Sequence, residues 1–291
     1  MPTETTMPLI PPSPLPTAAC NAHCHVVGPR AQYALPADAS YRPVQDAPKE
    51  DLFALNDRLG LQRCVIVQSS AHGQDHRVTE DAIASRPADY RGIALLPVDC
   101  SDAELRRLDQ AGFRGVRFNY MGHLARSAPI ADVIAFGGRL EALGWHLQLH
   151  GDPQRVLVDF APLLRRSPVP VVIDHLGRID ASLGLAQPAF QALLRLLDDR
   201  RFWVKVSGCD RITRQGPPYD DALPYAAKLV AEHGDRVLWG NDWPHPNHAE
   251  AVVDEALIAG LVPRLAPTAE ARQRLLVDNP QRLYRFEERT A

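Results

Sequence analysis

Eight short runs of β-forming residues recur along this chain with helical stretches between them, and no other feature limits its fold so strongly. They are AACNAHCH (18–25), RCVIVQSS (63–70), RGIALLPV (91–98), GVRFNY (115–120), WHLQLH (145–150), VPVVIDHLG (169–177), FWVKVSG (202–208) and RVLWGNDWP (236–244). Several hold three or four apolar residues in a row, as strands do when both faces are covered. A parallel pair needs a crossover that climbs back over the sheet, so the alternation predicts an α/β fold. Eight strands with seven crossovers and a helical tail predict a single-domain (β/α)8 TIM barrel. A doubly wound open sheet is the competing arrangement.

The crossovers carry helix punctuation. KEDLFALNDRLG places Leu52, Leu55 and Leu59 on one face and ends at Gly60, a suitable left-handed stop. SDAELRRLDQAG begins with Ser101 and has Glu104 three residues later, the pattern of a capping box. The first sixteen residues hold six prolines, which remove backbone donors and block helix, so residues 1–17 read as a flexible tail and 18–291 as the barrel domain.

A chain of 291 residues with 45% hydrophobic content can bury one large core. Its 32 basic and 35 acidic side chains leave a net charge of -3. With no basic run, nothing points to nucleic acid or an anionic membrane as a partner. No apolar run approaches the ~20 residues that cross a bilayer. Five cysteines at irregular spacing, without a secretory-type leader, suggest a reducing cytoplasm.

Polar residues cluster where the strands end. His23 and His25, Gln68 and Ser69, Arg117, His150, Asp174 and His175, Ser207 and Asp242 follow the apolar part of their runs. Packing alone would not choose this, since an unpaired polar group removed from water costs about 1 to 3 kcal/mol. A barrel would gather all of these ends at one mouth. His23 and His25, two apart on a strand, point the same way and could face one ion, with His150, His175 and Asp242 as further donors. Cys24 points the other way and reads as packing, and Cys20 has no second cysteine pair to complete a zinc site. The remaining histidines singled out, His72, His76, His146, His233, His245 and His248, read as surface or supporting groups.

The pieces NAHCHVVGP, GVRFNY, VVIDHLGR, VLWGNDWPHP and LLVDNPQRLY, in this order and spacing, resemble the amidohydrolase superfamily, in particular its family-2 branch that holds the pyrone-dicarboxylate lactonases. The resemblance spans nearly the whole chain from about residue 18. It implies a deformed (β/α)8 barrel hydrolase that opens a small carboxylated lactone in the catabolism of aromatic or sugar acids. Asp242 would activate water, with His23, His25 and His175 beside the substrate carbonyl. Arg117, Tyr41 and Arg211 match positions that hold substrate carboxylates, a task suited to the planar guanidinium fork.

Two departures stand out. His123 replaces a second arginine after the GVRFNY run, with Arg126 three residues beyond as a possible substitute, and His150 replaces a tyrosine at the end of strand five. That tyrosine branch is thought to work without metal, whereas metal-using relatives carry a ligand at this place. Zinc can lower the pKa of bound water from 15.7 to about 7, roughly 12 kcal/mol of help. The expectation is therefore one divalent ion, zinc or manganese, held by His23, His25, His150 and Asp242, with a metal-free route open for activated esters. Non-oxidative decarboxylation, lactone isomerisation and simple binding of a small acid are the rival readings.

Overall fold

The structure, a computed structural model, describes residues 15–122, 127–246 and 253–288. Its eight strands are β1 (Cys20–Cys24), β2 (Arg63–Val67), β3 (Tyr90–Ala94), β4 (Phe113–Tyr120), β5 (His146–Gly151), β6 (Val171–Ile173), β7 (Phe202–Lys205) and β8 (Val237–Leu238). They pair in chain order from β1 to β8, and every pair is parallel. A doubly wound sheet would reverse its order at a switch point, and this one does not.

The seam between β8 and β1 is closed by main-chain bonds. Ala22 N donates to Trp239 O at 2.8 Å, Asp242 N to His23 O at 2.8 Å, and His25 N to Trp243 O at 2.7 Å. Asn21 and Asn241 stitch the same seam: Asn21 Nδ2 donates to Asn241 Oδ1 at 2.8 Å, and Asn241 N donates to Asn21 Oδ1 at 3.2 Å. The approach is tight enough that a Cβ on Gly240 would lie 2.5 Å from His23 N. The barrel is thus a single closed domain.

Helices fill the crossovers: α1 (Lys49–Leu59), α2 (Arg77–Ser85), α3 (Asp102–Gln110), α4 (Ile130–Glu141), α5 (Ala161–Leu164), α6 (Pro188–Leu197), α7 (Cys209–Ile212) and α8 (Leu223–His233). Gly60 ends α1 at φ 74°, as its position predicts. Ser101 caps α3 by accepting from Glu104 N at 3.1 Å, while the Glu104 side chain pairs with Arg107 instead of returning to Ser101. The predicted box is therefore half realised.

Two apolar layers result. A large cluster lies between the strands and helices, taking Cys64 and Ile66 from β2, Val171 and Ile173 from β6, and Phe202 and Val204 from β7. The alternate residues Val65, Val67, Val172, Trp203 and Leu238 form a second cluster with Leu283, Tyr284 and Phe286 from the end of the chain. Polar side chains occupy the rest of the interior, toward the carboxyl ends of the strands. Of the predicted tail, residues 1–14 lie outside the described residues, and Leu15 packs against the large cluster. Among the described residues, no helix is long and apolar enough to cross a membrane.

Candidate active site

β1 and the segment after β8 build the floor of the site together. The register of β1 shifts between Asn21 and Cys24, so Cys24 packs outward beside Cys64 while His23 and His25 turn inward. Asp242, held at φ 64° just past β8, sets Oδ1 3.5 Å from His23 Nε2 and 3.2 Å from His25 Nε2. His25 Nδ1 lies 2.8 Å from the carbonyl oxygen of Val67, which can only accept, so that nitrogen carries a proton. A neutral His25 then turns a lone pair toward a carboxylate oxygen, a contact that needs a proton or a cation between the two. His23 Nε2 is likewise buried without a hydrogen-bond partner. The donor atoms of His23, His25 and Asp242 lie within 4.8 Å of one another, so these three residues fit a metal ion.

Beneath them lies a charged layer centred on Lys205, which the strand patterns did not flag as functional. Lys205, the last residue of β7 and flanked by Val204 and Val206, is fully buried. Its ammonium donates to Gln148 Oε1 at 2.9 Å and lies 3.2 Å from His23 Nδ1. Asp174 accepts at Oδ2 from Arg117 Nε at 2.8 Å and from Gln148 Nε2 at 3.0 Å. Its Oδ1 faces His23 Nδ1 at 3.4 Å and Lys205 Nζ at 3.8 Å. Burial lowers the Lys205 pKa to about 8 against the pull of Asp174. It also lowers His23 to about 3, helped by the Lys205 charge. Burial would raise Asp174, but Arg117 holds it well below the usual carboxylate range. A lysine inside an otherwise apolar strand was the available signal for this layer.

Strand ends supply the walls. A cavity of about 260 Å³ is lined by His25, Tyr41, Ser70, Arg117, His150, His175, Arg178, Arg211, Asp242 and Pro246. His175 Nδ1 lies 3.0 Å from Ser207 Oγ, and its ring centroid is 4.5 Å from that of His23. Burial keeps both His175 and His150 well below the ordinary imidazole pKa. The Tyr41 hydroxyl pairs with Ser69 Oγ at 2.8 Å. Gln68, also at a strand end, serves structure, bonding Gly73 O, Asp75 O and Thr79.

After β6 the chain enters a left-handed turn in which His175, Leu176, Gly177 and Arg178 all have positive φ, from 49° to 69°. For the three non-glycine residues this costs of order 1 to 2 kcal/mol each. Packing holds it: Leu176 is fully buried, and a Cβ on Gly177 would meet Leu157 Cδ1 at 2.7 Å.

Three residues singled out in the sequence take the following places. His150 faces the cavity but stands outside the three-residue donor group, its Nδ1 3.1 Å from Asn119 Oδ1 and its ring 5.3 Å from His175. Strand five thus delivers an imidazole to the wall, not to the floor. Arg211 reaches the cavity too, but Nε and Nη2 grip Asp242 Oδ2 at 3.0 and 2.7 Å and Nη1 donates to Pro246 O at 2.7 Å. Burial would raise the Asp242 pKa, but Arg211 holds it well below the carboxylate range. His245, read as a supporting group, is buried between two carboxylates, with Nε2 2.7 Å from Glu255 Oε1 and Nδ1 3.6 Å from Asp210 Oδ2. His123, Arg126 and His248 lie outside the described residues.

The amidohydrolase family model (Amidohydro_2) matches residues 20–286. The chain is 41% identical over 285 residues to a 2-pyrone-4,6-dicarboxylate hydrolase of Comamonas testosteroni, covering 94% of this chain and 92% of that one. It is 36% identical to a 4-sulfomuconolactone hydrolase of Rhizobium radiobacter, over 93% of this chain and 91% of the relative. A crystal structure from Acinetobacter baumannii, described as a probable 2-pyrone-4,6-dicarboxylic acid hydrolase with citric acid bound, superposes with a TM-score of 0.81. Its identity is 29%, with 92% of this chain and 100% of that chain covered. A family match across the barrel, together with these relatives, establishes that the chain belongs to the amidohydrolase family.

Proposed function

We propose that this protein is a hydrolase that opens a small carboxylated lactone by adding water to the ring carbonyl, in the breakdown of aromatic or sugar acids. The observation that carries the reading is Asp242, a buried carboxylate kept ionised at the floor of a cavity walled by imidazoles and guanidiniums. Both named relatives are hydrolases, of a pyrone dicarboxylate and of a muconolactone.

In this scheme Asp242 Oδ1 accepts the proton of the attacking water while Arg211 fixes Oδ2. His175, neutral through burial, takes a hydrogen bond from Ser207 at Nδ1 and donates its Nε2 proton to the carbonyl oxygen. Arg117, whose terminal nitrogens are left over from its Nε bond to Asp174, and Tyr41 hold a substrate carboxylate. His150 closes the wall, and His123 or Arg126 remain candidates for a second contact. His23, His25 and Asp242 would hold one divalent ion, zinc or manganese, which when bound supplies Lewis acidity toward water and carbonyl. We place the reaction in the reducing cytoplasm, in keeping with five unpaired thiols.

The test is ring opening of 2-pyrone-4,6-dicarboxylate and 4-sulfomuconolactone in 18O-labelled water, with metal analysis of the purified protein. One labelled oxygen per product and a loss of about 1,000-fold or more in kcat for Asp242→Asn are the expected results. Product without label would replace hydrolysis by isomerisation or decarboxylation. Tight binding of the acids without turnover would make this a binding protein. Full activity in metal-free protein would remove the ion.

A further inference from the structure

Three arginines line the cavity, and they are not equivalent. Arg117 is bonded to Asp174 and Arg211 to Asp242. Arg178, half-buried, makes no hydrogen bond or ion pair with any described residue. Among the described residues, Arg178 is thus the cavity arginine with no carboxylate in bonding contact. Its pKa is lowered by burial and then by Arg211, against the pull of Asp242 and Asp210.

Backbone geometry aims it. His175 and Arg178 begin and end the left-handed turn after β6, three residues apart, and both side chains reach the same cavity. A strained turn that persists only because Leu176 and Gly177 are locked by packing is a reason to look for function in the side chains it directs. One of those is the imidazole assigned to the carbonyl; the other is the guanidinium of Arg178.

We propose that Arg178 is a specificity-determining residue that receives a carboxylate of the substrate, on the same side of the cavity as the carbonyl held by His175. The assignment rests on the lactonase reading for the word substrate, but its anion site can be tested without turnover. A planar fork whose donors are not used by the described residues can grip a carboxylate in two parallel bonds. Arg178 thereby fills a role for which the sequence offered His123 or Arg126.

The experiment titrates benzene-1,3-dicarboxylate, which has no ring ester, into the full-length protein by calorimetry, comparing wild type, Arg178→Met, Arg178→Gln and Arg178→Lys. Thermal unfolding of each variant verifies folding. Loss of the charge-assisted bonds should weaken binding about 30-fold in the Met and Gln variants, with most of the affinity kept in Lys. In turnover of 2-pyrone-4,6-dicarboxylate, the KM of the Met variant should rise by a similar factor while kcat stays within about threefold. Binding by the wild type that is lost in Arg178→Met, without turnover of any lactone, keeps the anion site and rejects the lactonase reading. Turnover with an unchanged KM in Arg178→Met keeps the lactonase and rejects the anion site. Failure of the wild type to bind the probe, or equal binding by the Met variant, overturns the proposal.

Discussion

Arg211 grips one oxygen of Asp242 and leaves the other to two histidines: Nε and Nη2 lie 3.0 and 2.7 Å from Oδ2, while Oδ1 faces His23 and His25. The arginine therefore both orients the carboxylate and keeps it ionised. In Arg211→Met the Asp242 pKa should rise, because an opposite charge at this range favours the charged form. Activity needs the ionised carboxylate, so the acid limb of the kcat/KM profile should move to higher pH. An unmoved limb in a variant with reduced kcat would show that Arg211 acts only on the substrate.

Asp174 and Lys205 should prove energetically coupled. Asp174→Asn leaves Lys205 and Arg117 as buried cations without their carboxylate, and removal of one partner from such a group costs about 3 to 5 kcal/mol. Lys205→Met removes one of those cations, so the double variant should recover at least about 1 kcal/mol relative to the sum of the single changes. Denaturant unfolding of the four proteins measures this directly. Asp174→Asn should also bind metal about 10 to 100 times more weakly, since the Asp174 carboxylate lies 3.4 Å from His23 Nδ1 and offsets the Lys205 charge beside the ring.

His245 makes stability depend on pH. Burial would lower its pKa, but Asp210 and Glu255 raise it to about 9 from an ordinary 6.5. A group raised on folding contributes fully below its unfolded value and loses that contribution as pH climbs through its folded value. The melting temperature of wild type should therefore exceed that of His245→Gln at pH 6, with the difference shrinking between pH 6.5 and about 9. A difference constant across that range would mean that the ring acts by shape alone.

Gly240→Ala should damage the barrel seam. The added methyl would sit 2.5 Å from His23 N and 2.7 Å from His23 Cβ, where backbone cannot yield cheaply. A loss of about 3 kcal/mol or more is expected, with His23 displaced and kcat reduced in whatever folded protein remains. Gly138, whose Cβ would meet nothing within 4 Å, is the matching control for substitution to alanine.

Local signals made much of this protein legible. Apolar runs ending in polar residues mark eight buried strands, because burial on both faces is written into consecutive side chains, and closure of the sheet then brings His23, His25, His175 and Asp242 together. The i, i+2 spacing of the two histidines was enough to say that they share a side. Partnership was not legible, because it depends on which strand ends meet across the barrel. Arg211 turned out to hold Asp242, His150 to bond Asn119, and Lys205 to join His23 to Gln148, each contact spanning at least 31 residues of chain. The left-handed turn from His175 to Arg178 is also a tertiary decision: only one of its four residues is a glycine, and packing around Leu176 and Gly177 forces the rest. Sequence determined which side chains the mouth would contain. The closed fold decided which of the described side chains pair with one another, because pairing is set by distance in space and not by spacing along the chain.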